Sequence, residues 1–285
     1  MTLARMADLV RDARAAGRGI GAFNVVQLEH AEAIAAGAEA AGVPVVLQLS
    51  ENTADYHRGL APLALATLEV ARQATVPCGV HLDHATRPDL VHEAVELGLP
   101  SVMVDASVLD YAENVRTTAD LTAFCHEHAV WVEAELGEVG GKDGAHAPGV
   151  RTDPDEAAAF VAATGVDALA VAVGSSHAMT SRDAVLDDDL VARLAAAVDV
   201  PLVLHGSSGV PDEGLASAVR HGMVKVNVAT HLNGVLTRVV RERLAASTSV
   251  DPRRWLGPAR DAVADEVARL LRVLDPAGRP GRMGP

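Results

Sequence analysis

The stretch His81-Leu82-Asp83-His84 places two imidazoles and a carboxylate within four residues. Both groups bind metals and both carry protons, so the spacing allows a metal site, a proton-transfer site or both. Two more histidines, His177 and His205, follow the sixth and seventh of the β-rich runs described below. With His84 they predict the three-histidine site of a catalytic zinc ion that keeps its fourth position open. The alternative is that each is a hydrogen-bonded histidine of the core or of a loop.

Acidic residues follow the same pattern. Asp105 and Glu135 end the fourth and fifth β-rich runs and converge on the histidines. They could hold a second metal position or support the histidine ligands from behind, and the alternative is that they cap the helices that follow. By strand alternation, His81 points inward beneath Asp83, so we interpret it as structural support.

Two short segments predict anion binding. They read "HGSSG" from His205 to Gly209 and "NVAT" from Asn227 to Thr230. Each ends a β-rich run and leads into a helix, where backbone amides and hydroxyls can hold a phosphate. Barrels commonly bind phosphate after strands seven and eight, which is where these segments fall.

The elements that must position these residues form a regular alternation. Each β-rich run precedes an alanine-rich helical stretch, as expected for parallel strands joined by helical crossovers. The pattern predicts an α/β protein, a (β/α)8 TIM barrel in one domain over residues 1–274 with a C-terminal helical extension, and a disordered tail at 275–285. The eight runs are Gly19–Asn24, Val43–Leu49, Cys78–Asp83, Ser101–Asp105, Val130–Glu135, Ala168–Val173, Pro201–His205 and Val224–Asn227.

In such a barrel the active site lies at the carboxyl ends of the strands. Polar residues stand at or just after all eight ends: Asn24, Ser50, Asp83 with His84, Asp105, Glu135, His177, His205 and Asn227. The glycine-rich segment "LGEVGGKDGAHAPG" after the fifth run is long for a barrel loop, so we interpret it as a candidate lid.

Composition excludes several functions. The chain has 285 residues and a net charge of −14, and 49% of its residues are hydrophobic but only 2% aromatic. The charge argues against nucleic acid and anionic membrane surfaces as partners. Neither a signal peptide nor an apolar run of about 18 residues is present, so we expect a cytoplasmic protein. The two cysteines, Cys78 and Cys125, are expected to be buried structural thiols.

Seven segments between about Gly21 and Arg260 resemble the class II, metal-dependent ketose-bisphosphate aldolases, which include fructose-bisphosphate and tagatose-bisphosphate aldolases. They are "GAFNVVQLEHAEAI", "HLDHA", "SVMVDAS", "VEAELGEVGG", "LHGSSGVPDE", "VKVNVAT" and "DPRRWLGPAR", and they keep the family order. The resemblance implies a zinc-dependent aldolase that cleaves a ketose 1-phosphate or ketose bisphosphate through a dihydroxyacetone phosphate enediolate.

Residue roles follow from the resemblance. It implies that His84, His177 and His205 bind Zn²⁺, that Asp83 handles the proton of the aldehyde oxygen, and that a second divalent or a monovalent cation could bind nearby. Asp105 and Glu135 match secondary metal contacts. An arginine at the position of Arg253 reaches the second phosphate from a neighbouring subunit in relatives, which implies a homodimer or homotetramer. Substrate contacts match Asn24, Ser50, Gly206, Ser208, Asn227 and Thr230.

Three positions depart from the family pattern. The mobile loop reads "GGKDG" where relatives have Gly-Gly-x-Glu-Asp, so Asp143 takes the place of the catalytic glutamate if no residue is deleted. "HAMT" replaces His-Gly-x-Tyr and puts Ala178 at a position that normally meets phosphate or a monovalent cation. His231 stands where a glutamate often follows the Asn-x-x-Thr motif.

Two other functions stay open at the level of sequence. Lys225, one of only two lysines, lies on the eighth run with the same side-chain direction as Asn227 and could serve a Schiff-base aldolase. A non-catalytic barrel that binds metal and phosphosugar is the other alternative, and the altered "GGKDG" loop is its support.

Overall fold

The computed structural model describes residues 2–136, 151–177, 179 and 181–276. Eight parallel strands form a closed barrel, because the first strand pairs with both the second and the eighth. The predicted barrel is confirmed, and each strand boundary lies within two residues of the predicted one. The strands are β1 (Ile20–Asn24), β2 (Val45–Ser50), β3 (Cys78–Ala85), β4 (Ser101–Val104), β5 (Trp131–Leu136), β6 (Ala168–Val171), β7 (Leu202–Leu204) and β8 (Met223–Val228).

Helices surround the barrel, and their boundaries carry clear sequence signals. Asp110, Asp153 and Asp187 accept backbone amides at helix N-termini, while Gly42 and Gly165 end helices in the left-handed conformation. The helices are α1 (Met6–Ala15), α2 (Leu28–Ala41), α3 (Glu51–Tyr56), α4 (Ala61–Gln73), α5 (Pro88–Glu96), α6 (Tyr111–Glu127), α7 (Pro154–Thr164), α8 (Asp188–Ala197), α9 (Asp212–His221), α10 (Thr230–Ala246) and α11 (Arg253–Val273), with a 3-10 turn at Ser207–Gly209.

The C-terminal extension predicted from the sequence is α11. It packs against α2 and α10 on the outside of the barrel. Strands and helices together form a single domain. Residues 277–285 of the predicted tail lie outside the described residues.

Two apolar layers hold the domain together. The larger one lies between the strands and the surrounding helices and is built mainly from valine, leucine and alanine. The smaller one fills the lower half of the barrel interior, where α1 covers the amino-terminal ends of the strands with Met6, Leu9 and Val10. From the strands it receives Ile20, Ala22, Val46, Trp131, Ala168, Ala170, Val203 and Val224.

The two cysteines are free and buried, as predicted. Burial raises the pKa of the Cys78 thiol to about 12 and that of Cys125 to about 11, so neither is a reactive thiolate at neutral pH. Among the described residues, no helix is both long enough and apolar enough to span a membrane.

Candidate metal and substrate site

A backbone irregularity at the end of β3 brings Asp83 and His84 to the same place. In a regular strand, consecutive side chains point to opposite faces. His84 instead has φ 51°, in the left-handed region, and the register with β4 shifts between Leu82 and Ala85. The imidazole therefore reaches the barrel mouth beside the Asp83 carboxylate.

Four side chains meet at the mouth in a group able to hold a metal ion: His84, Glu135, His177 and His205. One ligand atom from each lies within 4.8 Å of the others. The ring centroids of His84 and His205 are 4.6 Å apart, and His177 lies 5.1 Å from His84 and 5.8 Å from His205. Three imidazoles and a carboxylate are the donor set of zinc sites, so these residues fit the Zn²⁺ that the sequence resemblance implies.

His205 lies between two buried carboxylates. Its Nε2 is 2.9 Å from Oε1 of Glu133, and its Nδ1 is 3.0 Å from Oε2 of Glu135. Burial alone would lower the pKa of this imidazole, but the two carboxylates outweigh burial and raise it to about 9. The group therefore stabilises positive charge, which is the electrostatic property that a metal site requires.

Asp105 has a different place from Glu135. Its Oδ2 accepts a hydrogen bond of 2.7 Å from Nδ1 of His84, and its Oδ1 accepts one of 2.6 Å from Oγ of Ser107. It is not a member of the four-residue group. Of the two acidic residues predicted at the metal, the structure thus puts Glu135 among the ligand atoms and Asp105 behind His84, where it orients the ring.

Asp83 is surrounded by amide donors from three other strands. Asn24, Gln48 and Asn227 each place a side-chain nitrogen 3.3 Å from one of its oxygens. Burial favours the neutral acid, but the positive charges of His84, His205 and Lys225 outweigh it and lower the pKa of Asp83 to about 2. The carboxylate is therefore ionised at neutral pH and fixed in orientation.

A buried polar layer lies directly beneath the mouth. Nζ of Lys225 is 2.8 Å from Oε2 of Glu133, and both side chains are almost fully buried. Nδ1 of His81 lies 2.9 Å from Oγ of Ser101, and its Nε2 is 3.8 Å from Glu133. Burial and the Lys225 charge lower the pKa of His81 to about 3, so this imidazole is neutral, in line with its interpretation as structural support.

Most of the predicted strand-end residues line one cavity of about 660 Å³ at the carboxyl ends of the strands, whereas Asp105, Glu135 and His205 are not part of its lining. Its size suits a small-molecule ligand. The lining includes Asn24, Ser50, Asp83, His84, His177, Gly206, Ser208, Asn227 and Thr230 from the sequence prediction, together with Val26, Gln48, Glu51, Asn52, Thr53, Tyr56, Thr86, Ser207, Ala229 and Asn233.

Two turns on one side of this cavity form the candidate phosphate site. Gly206 has φ 64°, and a Cβ there would lie 2.6 Å from the carbonyl carbon of Ser176, so only glycine fits. Oγ of Ser208 accepts the backbone amides of Ala229 and His231, each at 3.3 Å. Thr230 is the first residue of α10, where the positive end of the helix dipole favours an anion.

Some predicted residues are not brought to the cavity by the described structure. Arg253 begins α11, and its side chain is 89% exposed and bound to Asp251. It does not line the cavity of its own chain. Asp143 and Ala178 lie outside the described residues, as do residues 137–149 of the candidate lid.

Sequence reasoning missed Gln48 and Glu133. Nε2 of Gln48 donates to Asn24 at 2.7 Å as well as approaching Asp83, and Glu133 holds both His205 and Lys225. Both residues precede a predicted strand-end residue by two positions, in "QLS" and "EAE". A polar residue with inward parity inside a buried strand was the available signal.

Fold and site define an enzyme of the (β/α)8 class with a candidate metal centre at the barrel mouth. The class II fructose-bisphosphate aldolase model matches residues 4–279, so the chain belongs to this family of carbon–carbon lyases. The resemblance noted in the sequence is thereby confirmed.

Individual relatives agree with this assignment. The chain is 36% identical over 284 residues to a fructose-bisphosphate aldolase of Staphylococcus epidermidis, covering 98% of this chain and 99% of the relative. The crystal structure of the YdjI aldolase from Escherichia coli superposes with a TM-score of 0.86 at 32% identity over 97% of this chain and 98% of that one. A fructose-bisphosphate aldolase from Campylobacter jejuni, 21% identical, shares the fold with a TM-score of 0.79 over 95% of this chain and 94% of that one.

Membership in class II rules out the alternative of a Schiff-base aldolase that uses Lys225. A Schiff-base lysine must present a neutral amine to substrate, whereas Lys225 is buried in an ion pair with Glu133. Family membership likewise makes the chain an enzyme rather than a non-catalytic binding barrel.

Proposed function

We propose that this chain is a zinc-dependent aldolase that cleaves and forms a ketose 1-phosphate or a ketose bisphosphate of the fructose-1,6-bisphosphate or tagatose-1,6-bisphosphate type. The observation that carries the proposal is a cavity lined by His84 and His177 of the His84–Glu135–His177–His205 group, by the adjacent Asp83 and by two anion-binding turns. A phosphorylated ketose needs all three of these features at once.

The three histidines would hold the zinc ion, with Glu135 beside them. When bound, the ion supplies Lewis-acid polarisation of the ketose carbonyl and of the oxygen that becomes the enediolate. Asp105 keeps the His84 ring in the orientation needed for binding through its hydrogen bond to Nδ1. A second divalent or a monovalent cation remains part of the proposal.

Asp83 is the proposed acceptor of the C4 hydroxyl proton in cleavage, and it returns that proton to the aldehyde oxygen in condensation. It is ionised at neutral pH, and the amides of Asn24, Gln48 and Asn227 fix its orientation. Asn24 and Asn227 also line the cavity and are proposed to bind substrate hydroxyls.

The phosphate of the dihydroxyacetone phosphate half is proposed to bind between Gly206, Ser208 and Thr230. Ser50 lines the same cavity at the N-terminus of α3, where its hydroxyl also accepts the amide of Thr53 at 3.2 Å. Backbone donors at the start of α10 and the helix dipole both favour an anion there.

The base that removes the α-proton of dihydroxyacetone phosphate is proposed to be Asp143 on the "GGKDG" loop. Asp143→Ala should keep metal and substrate binding but lose solvent exchange of that proton, a half-reaction that needs no aldehyde. Deuterium incorporation into dihydroxyacetone phosphate measures this. Equal exchange in variant and wild type would make Asp143 a turn residue and transfer the role to another carboxylate, with Glu138 the first to test.

Arg253 is proposed to contact a second phosphate in a neighbouring subunit, within a homodimer or homotetramer. Its exposed side chain at the start of α11 supports this arrangement. A cytoplasmic location, expected from the sequence, belongs to the same proposal.

Retro-aldol turnover of a panel of phosphorylated ketoses by the zinc-loaded protein tests the function. We expect release of dihydroxyacetone phosphate, loss of turnover with a chelator and recovery on adding zinc. Borohydride with substrate should trap nothing on Lys225. Turnover that persists after complete removal of the metal would contradict the proposal.

A further inference from the structure

A line of ionisable side chains runs behind the two anion-binding turns. It consists of His231, Glu266, Arg269, Asp212 and Arg182, and we call it the charge ladder. Its members come from α10, α11, α9 and the segment between β6 and α8, so it connects elements that are distant in sequence. None of its members belongs to the metal group.

The first end of the ladder is attached to the β8–α10 turn. Nε2 of His231 lies 2.6 Å from Oε1 of Glu266 on α11. The backbone amide of the same histidine donates to Oγ of Ser208. His231 therefore joins the first turn of α10, directly after Thr230, both to the neighbouring anion-binding turn and to α11.

The middle of the ladder crosses from α11 to α9. Arg269 lies one helical turn after Glu266 and donates to it at 2.7 Å. The same guanidinium contacts Asp212, the first residue of α9. Asp212 in turn lies 2.8 Å from Nη2 of Arg182.

The second end of the ladder is attached to the β7–α9 turn. Nε and Nη2 of Arg182 both donate to the carbonyl oxygen of Val210, at 3.1 and 2.7 Å. Val210 directly follows the Ser207–Gly209 turn, which carries Ser208. Both ends of the ladder thus reach the backbone of the candidate phosphate site.

The ladder's groups are partly buried and mutually satisfied. Burial favours neutral Glu266, but hydrogen bonds from His231 and Arg269 outweigh it and lower the pKa of Glu266 to about 2. Single ion pairs at such exposure contribute little stability, whereas a connected network can also fix the relative positions of the elements that it joins. Ser208 links the two turns through the amides of Ala229 and His231, and the network ties the same turns to α11 and α9.

We propose that the charge ladder sets the geometry of the phosphate site and that His231 is its positioning residue. By holding the start of α10 against Ser208, it keeps donors from both turns at the spacing that one phosphate group needs. The proposal rests on the proposed function, since it assumes a phosphorylated ligand. The competing explanation is a set of surface ion pairs that contribute only stability.

The test is inorganic phosphate binding by the full-length, zinc-loaded protein, measured by calorimetric titration. His231→Ala should weaken phosphate binding by about 5-fold, because one charge-assisted contact at a partly exposed site is lost. His231→Gln should stay within about 2-fold of wild type, because its amide can reach Glu266 as Nε2 does. With ketose substrate, His231→Ala should raise KM while kcat changes little.

A matched control is available at the opposite end of the barrel. His126 pairs with Asp167 through Nε2 at 2.9 Å, in a histidine–carboxylate contact remote from the cavity. His126→Ala should leave phosphate binding unchanged. Arg182→Met, at the other end of the ladder, should weaken it about as much as His231→Ala.

Three other outcomes would contradict the proposal. If His231→Ala and His126→Ala lower the melting temperature but leave phosphate affinity unchanged, the ladder is only structural. If His231→Gln binds as poorly as His231→Ala, the contact with Glu266 is not the cause. If wild type does not bind phosphate, the site itself is misassigned. Failure of the proposed function would instead show as absent retro-aldol turnover in wild type, a measurement separate from phosphate binding.

Discussion

The lower half of the barrel interior is filled with apolar side chains, whereas the upper half holds ionised and hydrogen-bonded ones. The change occurs along single strands. On β5, the inward residues are Trp131 in the apolar layer, Glu133 in the buried polar layer and Glu135 at the metal group. On β8, Val224 belongs to the apolar layer, while Lys225 and Asn227 are polar.

The difference separates stability from chemistry. Buried charges are costly unless they are paired, so the polar layer depends on complete pairing of Glu133 with Lys225 and His205. The apolar layer and α1 beneath it supply burial without any group that could react. We therefore expect substitutions above the Glu133 layer to reduce catalysis or metal binding, and substitutions below it to reduce only the free energy of unfolding.

The largest effect is expected at the metal group. His177→Ala should lose bound zinc and reduce turnover by on the order of 10³-fold or more, since Lewis-acid stabilisation contributes several kcal/mol. Elemental analysis and retro-aldol rates measure the two losses. Because His177 is only partly buried, the melting temperature of the metal-free protein should barely change. Full metal content with full turnover would show that the assigned histidines are wrong.

A substitution at Asp83 should reduce catalysis without reducing metal binding. Asp83→Ala should retain zinc but reduce kcat by roughly 10²–10⁴-fold, the usual contribution of a positioned acid or base. Asn24→Ala is the internal comparison, because it removes one of the amide donors and leaves the carboxylate, so a smaller loss is expected. Wild-type rates in a metal-replete Asp83→Ala protein would refute the role.

Glu133 lies at the boundary and should affect stability and site together. Glu133→Gln leaves the buried Lys225 ammonium without its counter-charge, so we expect a loss of about 3–5 kcal/mol in the free energy of unfolding. Urea denaturation measures it. The double variant E133Q/K225M should regain most of the lost free energy of unfolding. If it does not, the cost of Glu133→Gln does not come from the unpaired Lys225 ammonium.

The smallest effect is expected in the lower half. Val46→Ala removes two methyl groups from a fully buried position and should lower the free energy of unfolding by about 2 kcal/mol. At temperatures where the variant is folded, kcat and KM should match wild type. A changed kcat would mean that the apolar layer is coupled to the mouth and would break the division between the two halves.

The sequence predicted the barrel because each strand is a short β-rich run followed by a helical pattern, and that signal is local. The rule that active sites lie at strand ends then led to six of the nineteen residues that line the cavity, including Asn24, Ser50 and Asn227. Gln48 and Glu133 were missed because the strand-end rule passes over polar residues inside a strand, although their inward parity was a signal. The pairing of His231 with Glu266 joins residues 35 positions apart on different helices, and no local pattern predicts it.

The left-handed backbone of His84 also has an evolutionary consequence. A residue with a Cβ in that conformation costs roughly 1–3 kcal/mol, a strain that glycine would relieve. Selection for thermostability alone would therefore drive replacement of His84, and selection for catalysis opposes it. At this one residue, a thermostabilised descendant and an active one are expected to diverge, so His84 is a position to hold fixed when the scaffold is engineered.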